Sequence, residues 1–345
     1  MANSNMILVL NCGSQSIKWK LFDDVLRIKK EGDFKVLNSN DYRKILTGEL
    51  SKLKEFQKEI RAIGHRVVHG GGEFVKPLKI QKQNLEILEK FDKLAPLHNP
   101  FNILGIKVSR KIFPKASQIA VFDTEFYANL APCVYTYPLP EKIRENYGFR
   151  RYGFHGISHE YASKEAAKII RKPFNKLKII SCHLGGGASI TAIKNGRAVD
   201  TSMGFSPMEG LVMMTRSGSI DPAIILELAR DFNVRKTDNI LNLESGLKGI
   251  CGEKEMLEVL RKANRNDKKA KLALEVFAYQ IKKYIGAYFA ILGSCDLLVF
   301  TGKIGWGSPK IRSMICRNLP ILKNTRVLPI RTDEELAIAK KLKNF

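Results

Sequence analysis

The 345 residues are enough for two domains with sizeable cores, and a composition 44% hydrophobic and 27% charged is that of a globular protein. No apolar run reaches 18 residues and the start, MANSNM, lacks the basic and apolar regions of a signal peptide. Six scattered cysteines without a CxxC pair argue against a disulfide framework or a zinc knuckle, so the expected location is cytoplasmic. The formal charge of +24 is spread along helical segments with no basic tail or recognition motif. It reads as a Lys-rich surface that draws in small anions, with no specific nucleic-acid partner.

In chain order, Met6–Asp23 comes first. A buried strand, Ile7 to Leu10, enters the turn Asn11-Cys12-Gly13-Ser14-Gln15-Ser16, and a second strand leaves from Ile17 to Phe22. Small hydroxyls, an amide and backbone N–H groups suit an anion-binding nest, with Lys18 just beyond; they equally suit an ordinary hairpin. Residues 24–47 read as mixed and turn-rich, and Glu49–Ile60 as an amphipathic helix. Then comes a short apolar strand ending in Gly64-His65-Arg66-Val67-Val68-His69-Gly70-Gly71-Gly72. Its glycines permit close backbone approach, and Arg66 can grip a phosphate or carboxylate; a strand with a flexible exit is the plainer alternative. A helix over 82–93 runs into the rigid Leu94-Ala95-Pro96-Leu97-His98-Asn99-Pro100, and a further helix ends near Ile112. Ser117–Phe122 reads as a buried strand closed by Asp123, which suits either an active site or a cap. The Pro-containing stretch 126–148 reads as a crossing between domains.

In the second half, Arg150-Arg151-Tyr152-Gly153-Phe154-His155-Gly156-Ile157-Ser158-His159 sets a histidine between glycines, a poor core position. Ser158 reads as the cap of a helix over 159–171, and no third ligand makes His155 and His159 a zinc pair. Leu177–Ser181, the turn Cys182-His183-Leu184-Gly185-Gly186-Gly187-Ala188-Ser189 and Ile190–Ile193 echo the opening stretch about 170 residues later. The echo implies duplicated domains across a cleft. Arg216, among small residues, is a second candidate anion clamp, and a helix begins at Asp221-Pro222. Helices follow over 222–231, 236–243, 253–263 and 268–291; the aromatic residues of the last suit a core or a subunit interface. Asp296–Phe300 is an apolar strand leading into the glycine loop Gly302-Lys303-Ile304-Gly305-Trp306-Gly307, which lacks Walker A spacing. A short helix is expected over 308–316 and a strand over Arg326–Ile330. Thr332-Asp333-Glu334-Glu335 reads as a capping box for the terminal helix.

With these pieces assembled, the chain resembles the acetate kinase family, within the acetate and sugar kinase, heat-shock ATPase and actin superfamily. The resemblance spans nearly the whole chain in LNCGSQSIKWKLFD, GHRVVHGG, LAPLHNP, VFDTEF, RYGFHGISHEY, CHLGGGASI, DTSMGFSPMEGL, TRSGSIDP, VFTGKIG and TDEELAIA. It implies an α/β fold of two actin-like (ribonuclease H-like) domains with a cleft between them and mixed sheets flanked by helices. The implied boundaries are 1–123 plus 335–345 for one domain and 124–334 for the other. It further implies phosphoryl transfer between ATP and acetate, giving acetyl phosphate and ADP, with Mg2+ or Mn2+. Propionate or butyrate as main substrate, and a catalytically impaired binding protein, are the alternatives. A homodimer coupled metabolically to a phosphate acetyltransferase is the expected setting.

The resemblance assigns roles residue by residue. Asn11 and Glu334 hold the metal. Ser16, Lys18, His98, His183, Gly185, Gly187, Gly302, Lys303 and Gly305 serve phosphates and nucleotide. Arg66 and Arg216 clamp carboxylate and phosphoryl group, Asp123 orients, and His155 stabilises the transferring group. Val68, Leu97, Phe154 and Pro207 form the pocket for the substrate methyl. Two of the departures fall within the phosphate and nucleotide stretches. The family's HLGNG becomes His183-Leu184-Gly185-Gly186-Gly187, and its GGIGEN becomes Gly302-Lys303-Ile304-Gly305-Trp306-Gly307. Tyr127 stands where a histidine is common.

Overall fold

The computed structural model describes residues 5–345 except Gln15, Leu37, Leu97 and Asn344. The chain forms two compact units, one running to Ala128 and completed by Asp333–Phe345, the other spanning Asn129–Thr332. Each has the helix-flanked mixed sheet of an actin-like domain.

The first unit contains β1 (Met6–Cys12), β2 (Ser16–Phe22), β3 (Ile28–Lys35), β4 (Ile60–Val67), β5 (Leu78–Lys79) and β6 (Ser117–Phe122), in the order β3-β2-β1-β4-β6-β5. β1, β2 and β3 form an antiparallel meander; β4 runs parallel to β1 and β6 parallel to β4. β1 is buried at every position, as its unbroken apolar run requires of a strand covered on both faces. Alternation along β4 separates those faces. Ile63 enters the core with Val108 and Ile112 of the helix Asn99–Ile112. Gly64 faces the terminal helix Glu334–Lys343, where a Cβ would stand 2.6 Å from Ile338 Cγ2 and 3.0 Å from Leu342 Cδ2. Here glycine is needed for close approach of helix to strand.

The second unit contains β7 (Lys178–Leu184), β8 (Ala188–Lys194), β9 (Arg197–Thr201), β10 (Leu297–Thr301) and β11 (Arg326–Pro329), in the order β11-β10-β7-β8-β9. β7, β8 and β9 repeat the antiparallel meander, while β10 and β11 run parallel in the places of β4 and β6. The echo in the sequence is therefore an echo in topology. At the β8–β9 hairpin Asn195 and Gly196 both have positive φ (54° and 78°), as a primed turn demands. Asp221 caps the helix Pro222–Phe232 by accepting from Ala223 N–H at 2.8 Å. The 25-residue helix Lys268–Leu292 buries Leu274, Phe277, Ile281, Ile285 and Tyr288 on one face and exposes Leu272, Tyr279 and Ile291.

Four local expectations fail. Residues 24–47 contain β3, whose mostly exposed IKKEGDFK carries no apolar alternation. The expected helix over Glu49–Ile60 is instead the end of Tyr42–Ser51, a 3-10 turn and the start of β4. Gly302–Gly307 is a short helix rather than a loop. The helix after His155 begins at Gly156, so Ser158 lies inside it and its hydroxyl serves His183. Among the described residues no helix is long and apolar enough to cross a membrane.

One buried group makes stability depend on pH. His65, on the Ile63 face, sits 2.8 Å from Gln118 Oε1, and burial holds its pKa down at about 4. The unfolded chain protonates this ring below about pH 6.5. The folded ring stays neutral, so unfolding free energy falls by up to ~1.4 kcal/mol per pH unit between those values. Buried His159 acts in the same direction. Denaturant midpoints are therefore expected to be flat above about pH 7 and to fall from pH 6.5 to 5. His65→Gln should flatten part of that slope, whatever it costs at neutral pH; an unchanged slope assigns the acid sensitivity elsewhere.

Candidate active site

In the first unit the carboxyl ends of β1, β4 and β6 meet the start of the terminal helix. Parallel pairing sets Val67 beside Phe122, and Asp123 N–H donates to Val67 O at 3.0 Å. Arg66 and Asp123 thereby become neighbours. Arg66 Nε donates to Asp123 Oδ1 (3.0 Å) and Nη2 to Oδ2 (2.7 Å), a bidentate fork. Its Nη1 reaches Asn11 Oδ1 at 3.2 Å and Glu334 Oε2 at 3.4 Å. Asn11 Nδ2 donates to Glu334 Oε2 (3.2 Å) and Glu335 Oε1 (3.0 Å). Lys20 Nζ donates to Asp333 Oδ2 at 2.7 Å and lies 3.8 Å from Glu335.

The electrostatics follow from this crowding. Burial disfavours the charge on Arg66, but Asp123 and then Glu334 outweigh it and push its pKa well above the ordinary value. The Glu335 carboxyl is pushed up by burial and then by the charge of Glu334. Three carboxyl groups surround one guanidinium, so the cluster holds more negative than positive charge. Glu334 and Glu335 occupy the first helical turn, where the macrodipole favours them. Asp333 caps that helix by accepting from Leu336 N–H at 2.9 Å. The expected capping box is thus one residue out, and Thr332 instead accepts from Ser158.

Two residues with no role assigned from the sequence brace the strand ends. Asn102 accepts from Val68 N–H (3.0 Å) and donates to Cys12 O (2.7 Å), tying β4 to β1. Asn99 accepts from His69 N–H (3.0 Å) and donates to His69 O (2.9 Å). The visible signal was two buried asparagines in a helix that follows prolines. Glu335 was the other omission, read as part of a cap. His98 stands at the N-cap of the helix Asn99–Ile112, and Val68 is buried. Leu97 lies outside the described residues. Ser16 opens β2, its carbonyl accepting from Gly13 N–H, and Lys18 pairs with Asp33 on β3 at 3.3 Å rather than with the carboxylate cluster.

The second unit holds its own constellation around the β7–β8 turn. Gly185 N–H donates to Gly187 O at 2.9 Å, closing the turn. A Cβ on Gly187 would stand 3.3 Å from His155 Nε2 and 3.6 Å from Arg216 Nη1, and one on Gly185 3.8 Å from His183 Nε2. Three nitrogen-bearing side chains therefore border a turn left bare by glycine. His155, at φ 58°, occupies the N-cap position of the helix Gly156–Ile169. Its ring stacks on His183 with centroids 4.2 Å apart, and Nδ1 lies 2.9 Å from Ser189 Oγ. His183 Nδ1 lies 2.8 Å from Ser158 Oγ. Arg216 Nη1 donates to Pro207 O at 3.1 Å, and desolvation lowers its pKa. No carboxylate pairs with Arg216 among the described residues, so its charge is available to an anion. Phe154 is buried and Pro207 half-buried.

The stretch expected to meet the nucleotide packs closely. Gly302 (φ 75°) and Gly305 press against β7, where a Gly302 Cβ would fall 2.5 Å from Leu184 O. Lys303 and Trp306 are exposed, with the Arg331 guanidinium 5.7 Å from the Trp306 ring. Gly186 is open: a Cβ there meets nothing within 4 Å. Among the described residues no set of three or more His, Cys, Asp and Glu side chains forms a metal-binding group.

Residues 25–342 match the model of the Acetokinase family. The chain is 42% identical to the acetate kinase of Sulfurovum sp. (strain NBC37-1), with 97% of each chain covered. It superposes on the crystal structure of Porphyromonas gingivalis acetate kinase with TM-score 0.88 at 33% identity, covering 98% of both chains. A propionate kinase from Francisella tularensis subsp. tularensis SCHU S4 gives TM-score 0.88 at 37% identity, again over 98% of both. By sequence over almost its whole length and by fold, the chain belongs to the acetokinase family.

Proposed function

We infer that this protein catalyses reversible transfer of the γ-phosphoryl group of ATP to acetate, giving acetyl phosphate and ADP. The observation that carries the reading is the pair of charge clusters retained with the family match. Arg66 is forked onto Asp123 beside Asn11 and Glu334, and Arg216 lies with His155 at a bare glycine turn. Carboxylate and γ-phosphate are both anions, so their in-line approach needs positive charge where it spreads in the transition state. Acetate is ionised at pH 7, so no base is needed to activate it. Asp123 accordingly holds the Arg66 guanidinium in one plane, leaving Nη1 to work beside Asn11 and Glu334. Arg216 and His155 donate to phosphoryl oxygens, and the apolar residues assigned to the methyl group are Val68 in the first unit and Phe154 and Pro207 in the second.

A divalent metal fits the first cluster. Its donors would be oxygens of Asn11 and Glu334, hard ligands of the kind that hold Mg2+ or Mn2+ through one or two carboxylates plus substrate phosphates. Burial first, and then the charge of Glu334, raises the Glu335 pKa, and a dication would relieve the repulsion between these carboxyl groups. When bound, the metal would neutralise charge on the phosphates. On the nucleotide side, Lys303 and Trp306 replace a glycine and an acidic residue usual in the family, and nucleotide affinity and base preference are the properties that these departures would alter.

The likeness to a propionate kinase favours propionate as a second substrate. A small apolar pocket separates chains differing by one methylene by only about 1–3 kcal/mol. A homodimer belongs to the same proposal. The helix Pro222–Phe232 has no buried residue, with Ile224, Leu226 and Phe232 exposed, and Val234 follows at 77% exposure. Four buried free cysteines, Cys12, Cys182, Cys251 and Cys295, suit the reducing cytoplasm. There acetyl phosphate would pass to a phosphate acetyltransferase.

A coupled assay in both directions tests the activity, with initial rates on acetate, propionate and butyrate. Arg216→Ala is expected to lower kcat by about 10²–10³ in a folded protein. Arg66→Ala should do the same and also lose stability, because it strands Asp123; Arg66→Lys keeps the charge, loses the fork and should remain slow. Parental rates in either arginine series remove that residue from the mechanism, and rates peaking on butyrate overturn acetate as substrate. Gly186→Asn, for which there is room, should lower the KM for ATP and leave that for acetate alone. In light-scattering chromatography Leu226→Glu should convert a dimer to a folded monomer; a monomeric parent would refute the dimer.

A further inference from the structure

The hydroxyl of Ser189 stands between two imidazoles, 2.9 Å from His155 Nδ1 and 2.8 Å from His159 Nε2. His159 Nδ1 lies 2.8 Å from Ser181 Oγ, and His159, Ser181 and Ser189 are fully buried. His159 follows His155 by one helical turn, while β7 and β8 supply the two serines. A hydroxyl has one proton, so Ser189 donates to one ring and accepts from the other. Burial, and then the neighbouring His183, push the His159 pKa well below the ordinary value, so its ring is neutral and carries one N–H. The positions of all these protons are therefore coupled.

We propose that His159, acting through Ser189, is a positioning residue that keeps a proton on Nε2 of His155, the nitrogen bordering Gly187 and Arg216. The proposal rests on the phosphoryl-transfer reading above. Two orderings satisfy the chain. In one, Ser181 donates to His159 Nδ1, His159 Nε2–H donates to Ser189, and Ser189 donates to His155 Nδ1, leaving Nε2–H on His155. In the other every bond is reversed and a neutral His155 presents a lone pair at Nε2. His155 Nε2 and Arg216 Nη1 border the same glycine. A phosphoryl oxygen there accepts from an N–H and is repelled by a lone pair, so the first ordering is the productive one. When His155 takes up a second proton the chain reverses, Nδ1–H donates to Ser189, and Nε2–H is kept. No charge need reach the buried His159. Among the described residues, the titratable or charged groups near the His155 ring include His183 from β7, Arg216 and, through Ser189, His159 on its own helix.

The test is 15N NMR of the full-length protein labelled at histidine, at pH 7.5, with and without ADP, magnesium and acetate. Nε2–H on neutral His155, with Nδ1 accepting a hydrogen bond, is expected; Nδ1–H on a neutral ring overturns the proposal. His159→Leu and Ser189→Ala should each mix the His155 tautomers and lower kcat by about 10- to 100-fold, with KM values changed by less than about twofold. His159→Gln, which can donate to Ser189 from the position of Nε2, should recover most of the turnover. Parental kcat in both His159→Leu and Ser189→Ala, or no recovery with glutamine, counts against the relay. If His159→Leu does not fold, the parent spectrum and Ser189→Ala decide. A parent that makes no acetyl phosphate sinks the activity reading, while the spectrum still reports the proton position separately.

Discussion

The charge cluster of the first unit is built on one partly buried ion pair, Arg66 with Asp123, that further carboxyl groups outnumber. Taking Arg66 and Asp123 out of water costs several kcal/mol per ion, offset only by good geometry and further hydrogen bonds. The fork supplies that geometry, and Asn11 and Glu334 take up the remaining guanidinium contact. This arrangement requires three adjacent parallel strand ends and one helix start in register. Gly64 is the physical condition for it: without a side chain there, the terminal helix lies close on β4 and brings Glu334 to Arg66. Packing deep in the sheet thus decides the electrostatics at its end. Carboxylates exceed cations in the cluster, which makes it a place for added positive charge.

The second unit solves a different problem with different chemistry. Its buried polar groups are imidazoles and hydroxyls, which can be satisfied without net charge. His155 adopts a left-handed conformation that is uncommon for a residue with a side chain, and its ring is held by stacking on His183 and by Ser189. Arg216 brings the charge. Its desolvated guanidinium is engaged by a carbonyl rather than a carboxylate, so it remains free to attract an anion. One unit therefore neutralises its arginine and the other leaves its arginine unneutralised.

The glycine-rich stretch after β10 illustrates how tertiary packing overrides local composition. Three glycines in six residues disfavour a helix by about 1 kcal/mol each. Gly302 and Gly305 nonetheless form one, because their missing side chains let it lie against Leu184 and Cys182 of β7. The same packing turns Lys303 and Trp306 outward, where a change in residue type alters the surface without disturbing the fold.

Much of the molecule was legible in the sequence. The apolar runs of β1, β6, β7 and β10 require burial on both faces, and the two strand–turn–strand stretches foretold two sheets of like topology. Asp221-Pro222 fixed a helix start. Edge strand β3 was illegible because an exposed, charged strand needs no alternation, and the helix Tyr42–Ser51 because its apolar residues blend into those that follow. Residue types at the site were also readable, since arginine, aspartate and histidine beside glycines are costly to keep for packing. Their partners were not: that Arg66 forks onto Asp123, that Glu335 shares Asn11, and that His159 reaches His155 through Ser189 are contacts between distant segments. Sequence by itself determined the elements, the family and the chemical inventory, because those depend on local pattern and residue type. Only the tertiary structure decided which charges are paired and which stay open, because pairing depends on strand register and on how closely helices approach the sheets.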